Sequence, residues 1–120
     1  MANLRQRPAQ PKNRENLAAI ERRVLGALCG GSIARAKWNR IVGGLREYRW
    51  LEPEHQVVFE ALTRIRSNDP KTLQARLPAQ TTRMGFPDVD WKIYLSGAEA
   101  PVPEIERLVR KLRAELETPA

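Results

Sequence analysis

Apolar residues recur every three or four positions along most of the chain, which is the spacing of one face of an α-helix. The first such stretch covers residues 16–31, where Glu21, Arg22 and Arg23 fall between the apolar positions and are assigned to the polar face. It ends in two glycines, as helices often do. The pattern predicts a first helix with a buried face formed by Leu17, Ile20, Val24, Leu25 and Leu28.

Two more helices are predicted over residues 32–65. Ser32 is a suitable amino cap for the second helix, and Gly43 and Gly44 would end it. Pro53 fits the first position of the third helix, where its missing N–H costs nothing. The predicted inward side chains are Ile33, Trp38 (or the alkyl stem of Lys37), Ile41 and Val42 in the second helix, and Val58, Phe59, Ala61, Leu62 and Ile65 in the third.

The second half of the chain is less regular. The sequence SNDP at 67–70 predicts a turn, KTLQARLP a short helix ended by Pro78, and residues 79–87 a loop. Residues 88–97 fit either a short helix capped by Asp88 or a strand, and the helix is favoured because no partner strand is evident. Residues 102–117 predict the last helix, with the apolar stripe Ile105, Leu108, Val109, Leu112 and Leu116.

These patterns predict an all-α fold, a compact bundle of five to six helices. The expected organisation is a disordered basic leader over residues 1–14, the helical domain over 15–117 and a tail over 118–120. Gly26 lies inside the first helix, where glycine costs about 1 kcal/mol relative to alanine. We therefore expect another backbone to pack close to Gly26.

Composition fits one globular domain of 120 residues, with 42% hydrophobic and 29% charged residues. No apolar run approaches the roughly 20 residues that cross a bilayer, and no apolar stretch follows the basic amino terminus as in a secretory signal. A single cysteine excludes an internal disulfide. The expected location is the cytoplasm, with no membrane partner.

The net charge of +7 is concentrated towards the amino terminus. Arg5, Arg7, Lys12 and Arg14 lie in the first fourteen residues, which contain no acidic residue. Such a leader could contact nucleic-acid phosphates. A solvated, disordered leader is the alternative that we favour. The further arginines at 46, 49, 64 and 66 are expected to form a solvated face.

The sequence offers little chemistry. It has no phosphate-binding loop motif, and one histidine with one cysteine cannot supply a zinc site. A Cys29–His55 dyad would need an exposed thiol, whereas Cys29 closes an apolar helix and is expected in the core. Asp88 and Asp90 could hold a cation, but helix capping by Asp88 is the simpler interpretation. No catalytic residue, metal or cofactor is therefore predicted.

His55 lies in the first turn of the third helix. The helix dipole would disfavour its charged form there, so we expect a mainly neutral, structural side chain at pH 7. The three tryptophans are expected to act as core or interface anchors, because they are not interleaved with basic residues as in a single-strand-binding groove.

Two longer motifs and several short ones follow one another along residues 15–115. The first is ERRVLGALCGG at 21–31, with an E-x-x-V-L-G-A-L run, and the second is EYRWLEPEHQVVFEALTRI at 47–65. In the second, an aromatic patch precedes His55 and the residues Val58, Phe59 and Ala61. TLQARL at 72–77, Gly85 and YL at 94–95 follow. This order resembles the amino-terminal domain of DnaB-type replicative DNA helicases.

The resemblance implies a small helical bundle without catalytic activity. In that family the domain forms a collar of the hexamer and docks primase and other replication proteins; the helicase-binding carboxyl-terminal domain of bacterial primase has a related fold. The expected function is a protein–protein interaction module linked to DNA replication, with primase, helicase or a second copy as partner. The alternative is a small basic helical protein that binds nucleic acid through its leader and surface arginines.

Overall fold

The computed structural model describes residues 11–30, 33–95 and 101–117, with side chains described within 16–30, 33–95 and 101–114. These residues form six helices and no strand, which confirms the predicted all-α bundle. The helices are α1 (Pro11–Gly30), α2 (Arg35–Gly44), α3 (Pro53–Ile65), α4 (Pro70–Arg83), α5 (Trp91–Leu95) and α6 (Val102–Glu117). None of the described helices has the length and apolar character needed to span a bilayer.

Helix α1 lies at the centre of the bundle, because it packs against α3, α4, α5 and α6. Its contacts with four helices explain why most of its carboxyl half is inaccessible to solvent. The buried hydrophobic residues of α1 are Ala18, Val24, Leu25, Ala27, Leu28 and Cys29, and Leu17 and Ile20 are partly buried against them.

Helix α1 begins at Pro11, earlier than the predicted domain start at residue 15. Lys12 and Arg14, which were assigned to the leader, therefore lie within the helix, while Arg5 and Arg7 lie outside the described residues. Proline is compatible with a first helical turn. The apolar pattern placed the boundary later because residues 11–15 contain no apolar position apart from this proline.

Helix α2 ends, and helix α3 begins, at the predicted residues. α2 ends at Gly44, with Trp38, Ile41 and Val42 buried, and α3 begins with Pro53 in its first turn. The residue before α2 is Ala34, which forms no side-chain cap; the predicted cap, Ser32, lies outside the described residues.

Helix α4 continues through Pro78 to Arg83, so the predicted end at Pro78 and the predicted loop over 79–83 are wrong. Proline inside a helix removes one backbone donor and strains the preceding turn. Here Leu73, Leu77 and Thr81 are all buried along one face that crosses the proline, and α4 packs against α1 and α3. Tertiary packing therefore outweighs the local helix-breaking preference.

Two aspartates cap helices at their amino ends. Asp69 Oδ2 accepts a hydrogen bond from the backbone N–H of Thr72 at 2.9 Å, and the hydrogen bonds from Thr72 lower the pKa of this carboxyl. Helix α5 confirms the predicted helix over the strand, but its cap is Asp90, whose Oδ1 accepts from Lys92 N at 3.3 Å. Asp88 is exposed, and its predicted capping role is wrong because a cap must directly precede the first turn.

Helix α6 has the predicted buried stripe and is linked to two other helices by ion pairs. Arg23 Nη2 lies 2.8 Å from Glu104 Oε2, and Lys37 Nζ lies 3.1 Å from Glu106 Oε2. The side chain of Leu116 lies outside the described side chains. The buried residues of α6 are Ile105, Leu108, Val109 and Leu112.

Gly26 lies where α1 contacts α5. A Cβ atom placed on Gly26 would be 3.9 Å from the carbonyl oxygens of both Ile93 and Tyr94, which confirms that a second backbone approaches closely. This separation is an ordinary van der Waals contact, so a methyl group fits whereas a longer side chain does not.

We expect Gly26→Ala to raise the free energy of unfolding by up to about 1 kcal/mol, because alanine is the better helix former. Gly26→Leu should lower it by about 1–3 kcal/mol through overpacking against α5. Urea unfolding followed by circular dichroism measures both changes. Equal destabilisation by alanine and leucine would contradict this account of the α1–α5 contact.

Candidate functional site

A fully buried carboxylate, that of Glu21, joins three segments of the chain. Its Oε2 accepts hydrogen bonds from the Tyr48 hydroxyl at 2.6 Å and from the backbone N–H of Leu51 at 2.7 Å. Its Oε1 lies 2.7 Å from Nδ1 of His55. Glu21 is 0% exposed and His55 is 3% exposed. We call these four residues the Glu21 network.

The local structure explains how the Glu21 network assembles. Glu21 is on α1, four positions after Leu17 and four before Leu25, so it lies on the same side as the apolar stripe. Tyr48 and Leu51 belong to the connection between α2 and α3, and His55 is in the first turn of α3. When Glu21 is ionised its carboxylate only accepts hydrogen bonds, and Nδ1 of His55 then donates to it.

The assignment of Glu21 to the polar face was wrong, and the network was missed for that reason. Charge suggested exposure, because glutamate is almost never fully buried unless it is paired. The spacing from Leu17 and Leu25 was the available signal, since it places an acidic residue on an apolar stripe. The expectation that His55 is structural fits its burial and its bond to Glu21; its charge state stays a prediction.

Tyr94 connects the Glu21 network to α5. Its ring meets the His55 ring edge to face, with centroids 6.2 Å apart, and its hydroxyl donates to Glu54 Oε2 at 2.6 Å. Burial, followed by the contact with Glu54, raises the pKa of Tyr94 well above its ordinary value. The hydroxyl therefore stays protonated and remains a donor. Trp91 packs on the same ring at 5.9 Å between centroids.

The aromatic patch before α3 packs beside the Glu21 network. Tyr48 contacts Trp50 edge to face at 5.0 Å between centroids, and Trp50 contacts Phe59 at 5.1 Å. Trp38 is also buried and donates its indole N–H to the Leu28 carbonyl at 3.1 Å, near the carboxyl end of α1. The anchor role predicted for the tryptophans is confirmed for Trp38 and Trp50, which lie in the core.

Cys29 is a core residue, as predicted. It is 0% exposed, and burial raises the pKa of its thiol to about 12. The thiol is therefore protonated at neutral pH, which is the opposite of an activated nucleophile. The hydrogen-bonded nitrogen of His55 is directed to Glu21. The arrangement gives no support to a Cys29–His55 dyad.

Two of the four arginines expected to form a solvated face lie around one pocket. Arg46 and Arg66, with Arg35 from the start of α2, line an open pocket of about 220 Å³, whereas Arg49 and Arg64 are exposed elsewhere. Within the described residues, no group of three histidine, cysteine, aspartate or glutamate side chains is placed to hold a metal ion. Comparison with protein-family models, curated proteins and solved structures gives no match to this chain.

We expect Glu21→Gln to lower the free energy of unfolding by about 2–3 kcal/mol, because it removes the charge and turns one acceptor into a donor facing other donors. Glu47→Gln is the matched control: it makes the same chemical change on an exposed side chain. The control should stay within about 0.5 kcal/mol of the parent. Equal effects in chemical denaturation would contradict a stabilising role for the Glu21 network.

The Cys29 thiol should be inert in the folded protein. We expect no reaction with a thiol-specific disulfide reagent at pH 8 and complete reaction after unfolding in denaturant. The raised pKa means that stability from the protonated thiol is fully present below about pH 9 and is lost as pH rises towards about 12. Cys29→Ser provides the blank for the absorbance assay. Rapid labelling of the native protein would contradict the burial of this thiol.

Proposed function

We propose that the chain is a non-catalytic protein–protein interaction and assembly module, similar to the amino-terminal domain of DnaB-type replicative helicases. Its role would be linked to DNA replication, with primase, a helicase or a second copy as the docked partner. The observation that carries the proposal is the bond between Glu21 and His55. Each belongs to one of the two motifs on which the resemblance depends.

The packing of the two motifs supports the proposal. The apolar residues of both are buried in one core, so the motifs act as a single structural unit. These residues are Val24, Leu25, Ala27 and Leu28 in the first motif, and Val58, Phe59, Ala61 and Leu62 in the second. The helical fold that the resemblance implies agrees with the six helices of the described residues.

The side chains of the types used in catalysis have structural surroundings instead. Cys29 is in the core, His55 is bonded to Glu21, and Asp90 caps α5. The exposed surface of the helices is then what is available for contact with other molecules. That surface includes the large apolar side chains Phe86 and Ile93, which are 36% and 40% exposed. This distribution favours docking over catalysis.

Nucleic-acid binding is the second candidate. It is favoured by the net charge of +7 and by the arginines gathered around the pocket between α2 and the end of α3. Arg5 and Arg7, together with Lys12 and Arg14 at the start of α1, would add phosphate contacts. Binding of this kind should weaken steeply with salt.

The test is a binding assay with the full chain against purified bacterial primase and a DnaB-type helicase, alongside its mass in solution by light scattering. We expect saturable binding to at least one protein or self-association, retained between about 50 and 200 mM salt. Labelled DNA in the same salt series is the control for charge-driven binding. A strict monomer that binds neither protein would overturn the proposal. Salt-sensitive DNA binding alone would favour the second candidate.

A further inference from the structure

Three arginines surround one pocket between α2 and the end of α3. Arg35 and Arg46 come from the two ends of the α2 region, and Arg66 directly follows α3. Asn39 and Thr63 add polar groups to the wall of this open pocket of about 220 Å³. We call it the arginine pocket.

The charge of the arginine pocket is not neutralised from within the described part of the chain. None of its three guanidinium groups forms an ion pair there, whereas Lys37 of α2 and Arg23 of α1 pair with glutamates of α6. Arginine stays charged at any physiological pH, and three such groups around one cavity repel one another. An anionic ligand would relieve that repulsion, so the pocket is electrostatically suited to one.

Arg66 adds a second, conformational observation. Its backbone is left-handed, with φ 59° and ψ 40°, and it is the only non-glycine residue with positive φ among those described. Glycine would adopt this conformation at lower cost, by roughly 1 kcal/mol. Arg35 Nη2 also donates to the Arg66 carbonyl at 3.4 Å, which draws these two residues together at the pocket edge. The chain thus carries a charged side chain at a left-handed backbone position that glycine adopts more easily.

The shape of the pocket distinguishes between classes of anionic partner. Binding of single-stranded nucleic acid uses exposed aromatic faces on which bases stack. The tryptophan at this pocket, Trp38, is 4% exposed and its indole N–H is bonded to Leu28. A local cavity also suits one or two carboxylates better than a continuous phosphate backbone. Guanidinium groups bind carboxylates through paired hydrogen bonds.

We propose that the arginine pocket binds an acidic segment of a protein partner, whose glutamate or aspartate carboxylates pair with Arg46 and Arg66. The proposal rests on the protein-docking function proposed above and names the chemistry of the docked segment. Arg35, whose guanidinium also contacts the Arg66 carbonyl, has a positioning role at the pocket edge.

The experiment measures fluorescence anisotropy of labelled oligoglutamate, oligoglutamine and oligothymidylate of equal length with the full chain. The pocket variant is Arg46→Gln/Arg66→Gln, and the control is Arg40→Gln/Arg64→Gln, which removes the same charge from exposed positions outside the pocket. We expect the pocket variant to bind oligoglutamate about tenfold more weakly and the control variant about twofold more weakly. Thermal unfolding verifies that both variants fold.

Each remaining outcome is decisive. Equal weakening by both variants would overturn the proposal, because binding would then depend on overall charge. A larger loss for oligothymidylate than for oligoglutamate would also overturn it and assign the pocket to nucleic acid. If primase or helicase binds but the pocket variant leaves that binding unchanged, the proposed function stands and this inference fails. If oligoglutamate binding depends on the pocket but neither protein binds and the chain is monomeric, the proposed function fails instead.

Discussion

The buried carboxylate of Glu21 is the constraint on which the arrangement of the bundle depends. A carboxylate removed from water costs several kcal/mol unless hydrogen bonds replace its hydration. Tyr48, Leu51 and His55 supply those bonds, and they come from the α2–α3 connection and the start of α3. These hydrogen bonds form only when both segments pack against α1 in one register, so only that arrangement offsets the cost of burying the carboxylate. Apolar stripes alone would tolerate small shifts, whereas three directed bonds to one side chain do not.

Aromatic residues link the Glu21 network to helix α5. His55 contacts Tyr94, and Tyr94 in turn binds Glu54 in the first turn of α3. Helix α5 has only five residues, too few to be stable alone, and it is held by this contact and by its close approach to Gly26. A short and otherwise weak element is thus fixed through the contact of the His55 and Tyr94 rings and the bond between Tyr94 and Glu54.

The fold was largely predictable, and the site was not. Helix α6 and the carboxyl end of α2 were predicted because apolar periodicity and glycines at helix ends are local signals. The predicted helix end at Pro78 is wrong because packing against other helices decides whether a proline is tolerated. No local sequence pattern indicates that packing. The assignment of Glu21 to the polar face is wrong for a related reason, since its hydrogen-bond partners lie 27 to 34 positions away in the sequence. The arginine pocket requires α2 and the end of α3 to meet, which residue spacing does not reveal.

Pro78 also has a consequence for how the last turn of α4 is held. Since proline lacks an amide hydrogen, the helix is joined across this point by fewer backbone bonds than elsewhere. The Thr81 hydroxyl donates to the carbonyls of Leu77 and Pro78, and the Thr82 hydroxyl donates to the Pro78 carbonyl, so side-chain bonds replace part of what the proline removes. The turn that carries Phe86 follows directly. Because Thr81 is fully buried and bonded to Leu77 across the proline, the last turn of α4 stays anchored to the core, and the exposed Phe86 is tethered to that turn by the bond from its backbone N–H to the Thr81 carbonyl at 2.8 Å.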